Sequence, residues 1–174
     1  LSEVMAKNNG VLADNDGEYP DWIELYNPTD KEINLHNYSL TDDAQKKSKF
    51  VFPEMTIQPG EYLVVYASGK DYVDVENRIV HLSYSINSKL ENIFLYTPGG
   101  KQLGHIALVN LAENMTCGLD EKGNTVYFKT PTPGAANSET YTPVTAGSGV
   151  PASDAKIYIN EYSNRDFVAN YRVE

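Results

Sequence analysis

Two glutamates and a loop of acids are the residues of this chain whose types and spacing could do chemistry. Glu3 lies in Leu1-Ser2-Glu3-Val4-Met5, and Glu24 in Trp22-Ile23-Glu24-Leu25-Tyr26. Both stretches read as strands, and two carboxylates on neighbouring strands are the minimum for glycoside hydrolysis. That reaction also needs a separation of roughly 5–9.5 Å and a groove for the sugar. The strands of a small sandwich offer no such groove. The favoured reading is therefore that each glutamate accepts hydrogen bonds from loop or edge backbone, and no catalytic residue is assigned.

The acids Asp14, Asp16, Glu18 and Asp21 form the second candidate. From Asn8 to Asp30 there are six acids and no Lys or Arg. In Asp14-Asn15-Asp16-Gly17-Glu18 the carboxylates alternate around a glycine that permits a sharp turn. Calcium takes six to eight hard oxygens from such loops. The helix–loop–helix calcium pattern fails, because Tyr19 stands where its glycine is required. The competing reading is a solvated acidic turn before Pro20, where Asp, Asn and Gly belong in any case. Calcium is the one cofactor the sequence suggests, with these four acids as its candidate ligands.

Other chemistry finds less support. His36, His81 and His105 are far apart and lack acidic or Cys partners at metal-ligand spacing. Cys117 is the only cysteine, which excludes an intrachain disulfide and a Cys-rich zinc site. It reads as a small buried apolar residue. There is no nucleophile elbow, phosphate loop or dinucleotide fingerprint. The 13 tyrosines could stack on sugar rings, but Tyr also favours pleated surfaces for packing alone. Asn37-Tyr38-Ser39 and Asn114-Met115-Thr116 are sequons, relevant only in a eukaryotic secretory pathway. Net charge is −10, from 14 Lys and Arg against 24 Asp and Glu. That disfavours nucleic acid and anionic membrane surfaces as partners, since both are bound through cationic side chains. No run of about 18 apolar residues exists to insert into a membrane. The chain starts at Leu1 without a Met and reads as a piece of something longer.

Strands must position these residues. Short runs rich in Tyr, Val, Ile, Thr and Phe alternate with Gly, Pro, Asn and Asp, the pattern of a sandwich or barrel. Strands are expected near Leu1–Met5, Trp22–Tyr26, Ile33–Leu35, Tyr38–Thr41, Lys49–Phe52, Tyr62–Ala67, Ile93–Tyr96, Gln102–Val109, Met115–Leu119 and Val126–Lys129. Alternation puts Ile23 and Leu25 toward the core and Trp22, Glu24 and Tyr26 on the other face. Asn27-Pro28 should end that strand. Tyr62–Tyr66 reads as a central strand, Asp120–Asn124 as a hairpin loop, and Asp71–Glu76 as one short helical turn.

The composition changes after Thr130. Residues 138–156 are rich in Ser, Thr, Pro, Ala and Gly, as linkers are. Strand chemistry then returns in Ile157-Tyr158-Ile159-Asn160-Glu161-Tyr162-Ser163-Asn164. Aligning Glu161 on Glu3 matches Leu1–Asn8 in pattern, so residues 157–174 read as the opening of a second, truncated copy in a tandem array. Such an unpaired strand is expected to add to an edge of its own sheet or of a neighbouring molecule.

Five motifs in order carry a family resemblance: Leu1-Ser2-Glu3-Val4-Met5-Ala6, Asp21-Trp22-Ile23-Glu24-Leu25-Tyr26-Asn27-Pro28, Tyr38-Ser39-Leu40-Thr41-Asp42-Asp43, Tyr62-Leu63-Val64-Val65-Tyr66-Ala67-Ser68-Gly69 and Thr130-Pro131-Thr132-Pro133-Gly134-Ala135-Ala136-Asn137. Together they resemble the bacterial form of the lamin tail domain over residues 1–137. The resemblance implies an all-β, immunoglobulin-like β-sandwich. It also implies an extracellular or cell-surface bacterial setting, in a multidomain protein beside a spore-coat-kinase-like domain, a hydrolase or further repeats. The first strand starts late for the family, and Cys117 stands where a hydroxyl or aromatic residue is commoner. No activity comes with the fold. The function expected is a non-enzymatic structural or interaction module, with neighbouring domains, a cell-wall polymer or a surface protein as partners. The alternative is a calcium- or carbohydrate-binding module assisting an attached catalytic domain.

Overall fold

A computed structural model describes residues 1–120 and 124–137, and beyond them the short strands at Tyr141–Pro143, Tyr158–Ile159 and Tyr171–Arg172. Every regular element among the described residues is a strand. In chain order they begin with β1 (Glu3–Met5), β2 (Asp21–Tyr26), β3 (Ile33–Asn34), β4 (Ser39–Thr41), β5 (Phe50–Val51) and β6 (Thr56–Ile57). Next come β7 (Tyr62–Ala67), β8 (Tyr72–Asp74), β9 (Ile79–His81), β10 (Leu90–Tyr96) and β11 (Gln102–Val109). The last are β12 (Thr116–Leu119), β13 (Thr125–Phe128), β14 (Tyr141–Pro143), β15 (Tyr158–Ile159) and β16 (Tyr171–Arg172).

The larger sheet has eight strands in the order β14-β13-β12-β1-β2-β7-β9-β8, and the smaller has four in the order β11-β10-β4-β5. The pairings are antiparallel except β7 with β9, which meet in parallel at Tyr66 and His81. Between the sheets lies the core. The larger sheet contributes Val4, Ile23, Leu25, Leu63, Val65, Cys117 and Tyr127; the smaller contributes Leu40, Phe50, Ile93, Leu95, Ile106 and Leu108. Each such side chain taken from water stabilises the fold by about 1.5–3 kcal/mol before conformational entropy is charged. The result is the immunoglobulin-like β-sandwich.

Alternation along β2 places Ile23 and Leu25 in that core, as expected from their spacing. The strand ends at Asn27, whose side chain replaces the ladder. Its Nδ2 donates to the Lys31 and Ile57 carbonyls at 2.8 and 2.9 Å, and its Oδ1 accepts from the Thr29 amide at 3.0 Å. Cys117 is fully buried, with Sγ 3.8 Å from the Ala107 carbonyl oxygen.

Two expectations are corrected. Asp71–Glu76 is not a helical turn: Tyr72–Asp74 is β8, paired with β9. Within the Ser/Thr/Pro/Gly stretch, Tyr141–Pro143 is a strand that covers the edge of β13. Of the strand expected at Ile157–Tyr162, Tyr158–Ile159 pairs with Tyr171–Arg172 in a two-stranded sheet. The rest of that stretch lies outside the described residues.

Candidate functional site

Glu3 and Glu24 lie on adjacent strands. The β1–β2 register, Val4 with Ile23 and Met5 with Trp22, sets Glu3 opposite Glu24 on the face turned away from the core. That face is not open to solvent. Trp22, Glu3 and Glu24 are fully buried, and the segment Thr130–Asn137 straps across the two glutamates. Glu3 accepts from the Thr116 hydroxyl and from the Thr132 amide and hydroxyl, the latter two at 3.1 and 3.3 Å. Glu24 accepts from the Gly134 amide at 2.6 Å.

The strap is built for this. Thr132-Pro133-Gly134-Ala135 closes a turn, with the Ala135 amide on the Thr132 carbonyl at 3.0 Å. Pro presets the first central position, and the second needs positive φ, which Gly134 supplies at 80°. Asn137 pins the far end, donating from Nδ2 to the Ser2 carbonyl at 3.1 Å.

Burial pushes the Glu3 carboxyl up, against the hydrogen bonds from Thr116 and Thr132. Burial likewise pushes Glu24 up to about 7, against the Gly134 hydrogen bond and with the Glu3 charge adding to the rise. Both carboxyls lie beneath the strap. Their geometry ties backbone, as the hydrogen-bonding reading of both residues anticipated.

The acidic loop comes together in part. Ligand oxygens of Asp14, Asp16 and Glu18 lie within 4.8 Å of one another. Asp21 does not join them, because its Oδ1 accepts the Asn8 amide at 3.0 Å. This removes Asp21 from the four-acid set. The loop folds around Asp14, whose Oδ1 accepts the Asp16 and Glu18 amides, both at 2.9 Å. Lys70 Nζ then sits among the carboxylates, at 2.7 Å from Asp14, 2.6 Å from Asp16 and 2.9 Å from Glu18. These acids lift the Lys70 ammonium well above its ordinary range. Burial raises the Asp14 carboxyl, but hydrogen bonds from Lys70, Glu18 and Asp16 outweigh it and leave Asp14 low.

His81 is fully buried beside this knot. Nδ1 meets Ser68 Oγ and Nε2 meets Asn15 Oδ1, both at 2.8 Å, so the loop, the end of β7 and β9 are tied through one imidazole. Its ring stacks on Tyr66 with centroids 5.1 Å apart. Burial, then the Lys70 charge, holds the imidazole below its ordinary range. His36 and His105 lie elsewhere; His105 Nε2 meets Asn92 Oδ1 at 2.8 Å. Lys70 was missed by reading the sequence because no local pattern marks it. Its partners are more than fifty residues earlier.

The family model of the Lamin Tail Domain matches residues 1–128. The chain belongs to the lamin tail domain family. That family is immunoglobulin-like and non-catalytic. No curated protein matches the chain. The matched residues of the lamin tail domain end at Phe128, just short of the strap, so the amides that complete Glu3 and Glu24 come from beyond the matched stretch.

Proposed function

We propose that this lamin tail domain is a non-enzymatic structural and interaction module of a multidomain bacterial surface or secreted protein, spacing or displaying the domains beside it. The observation that carries this reading is the strap over Glu3 and Glu24. The carboxyl pair best placed for chemistry is spent on backbone amides beneath Thr132 and Gly134. The Ser/Thr/Pro/Gly stretch and the repeat of the opening motif at Ile159–Asp166 are what a tandem array on a cell surface would contain.

The second reading, a calcium- or carbohydrate-dependent binding module, is favoured by the convergence of Asp14, Asp16 and Glu18. Against it stands Lys70, whose ammonium takes the place a cation would fill. Co-sedimentation of the chain with purified cell walls and insoluble polysaccharides, in calcium and in EDTA, separates the two. A spacer stays in the supernatant in both buffers. Pelleting with one polymer replaces the spacer reading with a binding module, and its loss in EDTA makes calcium part of the site.

A further inference from the structure

A second constellation sits on the smaller sheet, remote from the strap and the acidic loop in sequence. Asp42 follows β4, Lys49 precedes β5, and Glu91 lies on β10, the three strands being neighbours in one ladder. Lys49 Nζ is 2.6 Å from both Oδ1 and Oδ2 of Asp42. Equal approach to both oxygens puts the nitrogen on the bisector of the carboxylate. From there it is about 3 Å from Cγ as an ion pair, and a swing of the amine out of the carboxylate plane would bring its lone pair onto that carbon. Glu91 stands within hydrogen-bond reach of the Asp42 carboxyl, and its own Oε2 accepts the Asn87 amide. The Tyr84 ring lies beneath the amine, 4.1 Å from Nζ to centroid. Tyr84 is 7% exposed, and its hydroxyl is buried without a hydrogen-bond partner. The Asp42 side chain is 11% exposed and that of Lys49 31%, so water is kept from the aspartate more than from the amine.

A lysine, an aspartate and a second carboxyl held over an aromatic ring are the components of amide formation between side chains. We propose that Lys49 Nζ and Asp42 Cγ are joined by a covalent intramolecular amide, formed by the folded domain itself with Glu91 as proton shuttle. Glu91 carries the ammonium proton to the Asp42 carboxylate, giving a neutral amine and a neutral acid. The amine lone pair forms the N–C bond, and the nitrogen passes one proton to Glu91. The Cγ–O bond then breaks as Glu91 returns a proton to the departing hydroxyl, and one water leaves. Ammonium and carboxylate together contain every atom of amide plus water, so no oxidant, cofactor or outside reactant is needed. Burial raises the Glu91 carboxyl, with the Asn87 hydrogen bond lowering it and the Asp42 charge raising it, so that it holds a proton more readily than an exposed glutamate.

The bond has a structural use. β5 is a two-residue strand at the edge of its sheet, held to β4 through Ser39 with Val51 and Leu40 with Phe50. An amide from Asp42 to Lys49 would close the β4–β5 connection at its open end and keep the edge from peeling. The inference rests on this geometry alone and does not need the display role proposed above.

The test is the intact mass of the purified 174-residue chain under denaturing conditions. The expected mass is that of the sequence less one water, with fragmentation locating a branched peptide that joins Asp42 to Lys49. Lys49→Arg, which keeps the cation, and Asp42→Ala should both show the full sequence mass. Glu91→Gln should lower the linked fraction at least tenfold at early times. The full mass in the folded wild-type chain would overturn the proposal. So would a water loss that persists in Lys49→Arg, since that marks cyclisation of an aspartate onto its own backbone. Unchanged linkage in Glu91→Gln would remove Glu91 from the step.

Discussion

Glu3 and Glu24 sit opposite each other across the β1–β2 ladder, and one short turn closes over both by giving an amide to each, from Thr132 and from Gly134. Two like charges side by side under a cover are costly unless at least one proton is retained. The strap is thus held partly by the protonation of the carboxyls beneath it.

That arrangement makes stability depend on pH. Glu24 is pushed up to about 7 in the fold from 4.5, so between these values the folded state binds the extra proton. Stability should be full below about pH 4.5 on this account and should fall as pH rises through 7. The shift is worth about 3 kcal/mol at most, and Glu3 acts in the same direction. Glu24→Gln keeps an acceptor for Gly134 but cannot ionise, so it should flatten most of the decline. Urea unfolding of both proteins from pH 5 to pH 8 checks this. Parallel curves would show that Glu24 titrates normally.

His81 works in the opposite sense. Its imidazole is held low in the fold, first by burial and then by Lys70. The unfolded chain therefore takes up a proton first as pH falls below the ordinary histidine range. Stability contributed by neutral His81 should be present above about pH 6.5 and lost as pH drops through the folded value. His81→Gln should remove this acid limb while leaving the Glu24 limb intact. The same urea series, run on the variant, reads the two limbs separately.

Much of the fold was legible because its determinants are local. The alternation in Trp22–Tyr26 set Ile23 and Leu25 inward, and Asn27-Pro28 marked the strand end. The burial of Glu24 was not legible, because its cover arrives from more than a hundred residues later. β8 and β9 were missed for a related reason. Each is three residues long, and β9 joins the sheet through one parallel bridge, Tyr66 with His81. Tyr141–Pro143 was hidden by composition, since Thr and Pro read as linker until an unpaired edge of β13 is at hand. Lys70 and Lys49 were equally silent. A lysine's role depends on which acids the ladder brings to it.

Gly118 is a point where the strap and the sheet meet. A Cβ there would lie 2.4 Å from the Ser2 carbonyl oxygen, 2.9 Å from the Phe128 ring and 3.2 Å from Asn137 Nδ2. The first contact is backbone immediately before β1, tied to β2 by the Ser2 amide on the Glu24 carbonyl at 2.8 Å, and cannot swing aside. Gly118→Ala should therefore destabilise by about 2 kcal/mol or more, with the Asn137–Ser2 hydrogen bonds lost first. Denaturant unfolding gives the magnitude. Amide exchange at Gly134 shows whether the strap loosens before the sheet. A neutral substitution would mean that β1 shifts easily, against its place between β2 and β12.

Lys70 decides whether the acidic loop is a knot or a cation site. Its ammonium stands within 2.9 Å of each of three carboxylates, and the Asp14 side chain is fully buried beneath it. Millimolar calcium should leave the melting temperature of the wild-type chain unchanged, because the ion would have to displace a tethered cation from a charge-matched nest. Lys70→Ala leaves Asp14, Asp16 and Glu18 facing one another without a counter-ion. The variant should melt earlier than wild type in EDTA, and calcium should restore part of the difference through the vacated centre. Thermal melts of both proteins in calcium and in EDTA provide the four values needed. A rise in the wild-type melting temperature with calcium would show that the ion displaces Lys70, and the calcium-dependent reading would then replace the knot. A variant insensitive to calcium would leave the loop as an ion-paired turn whose acids serve only to hold the end of β7 and, through Asn15, His81.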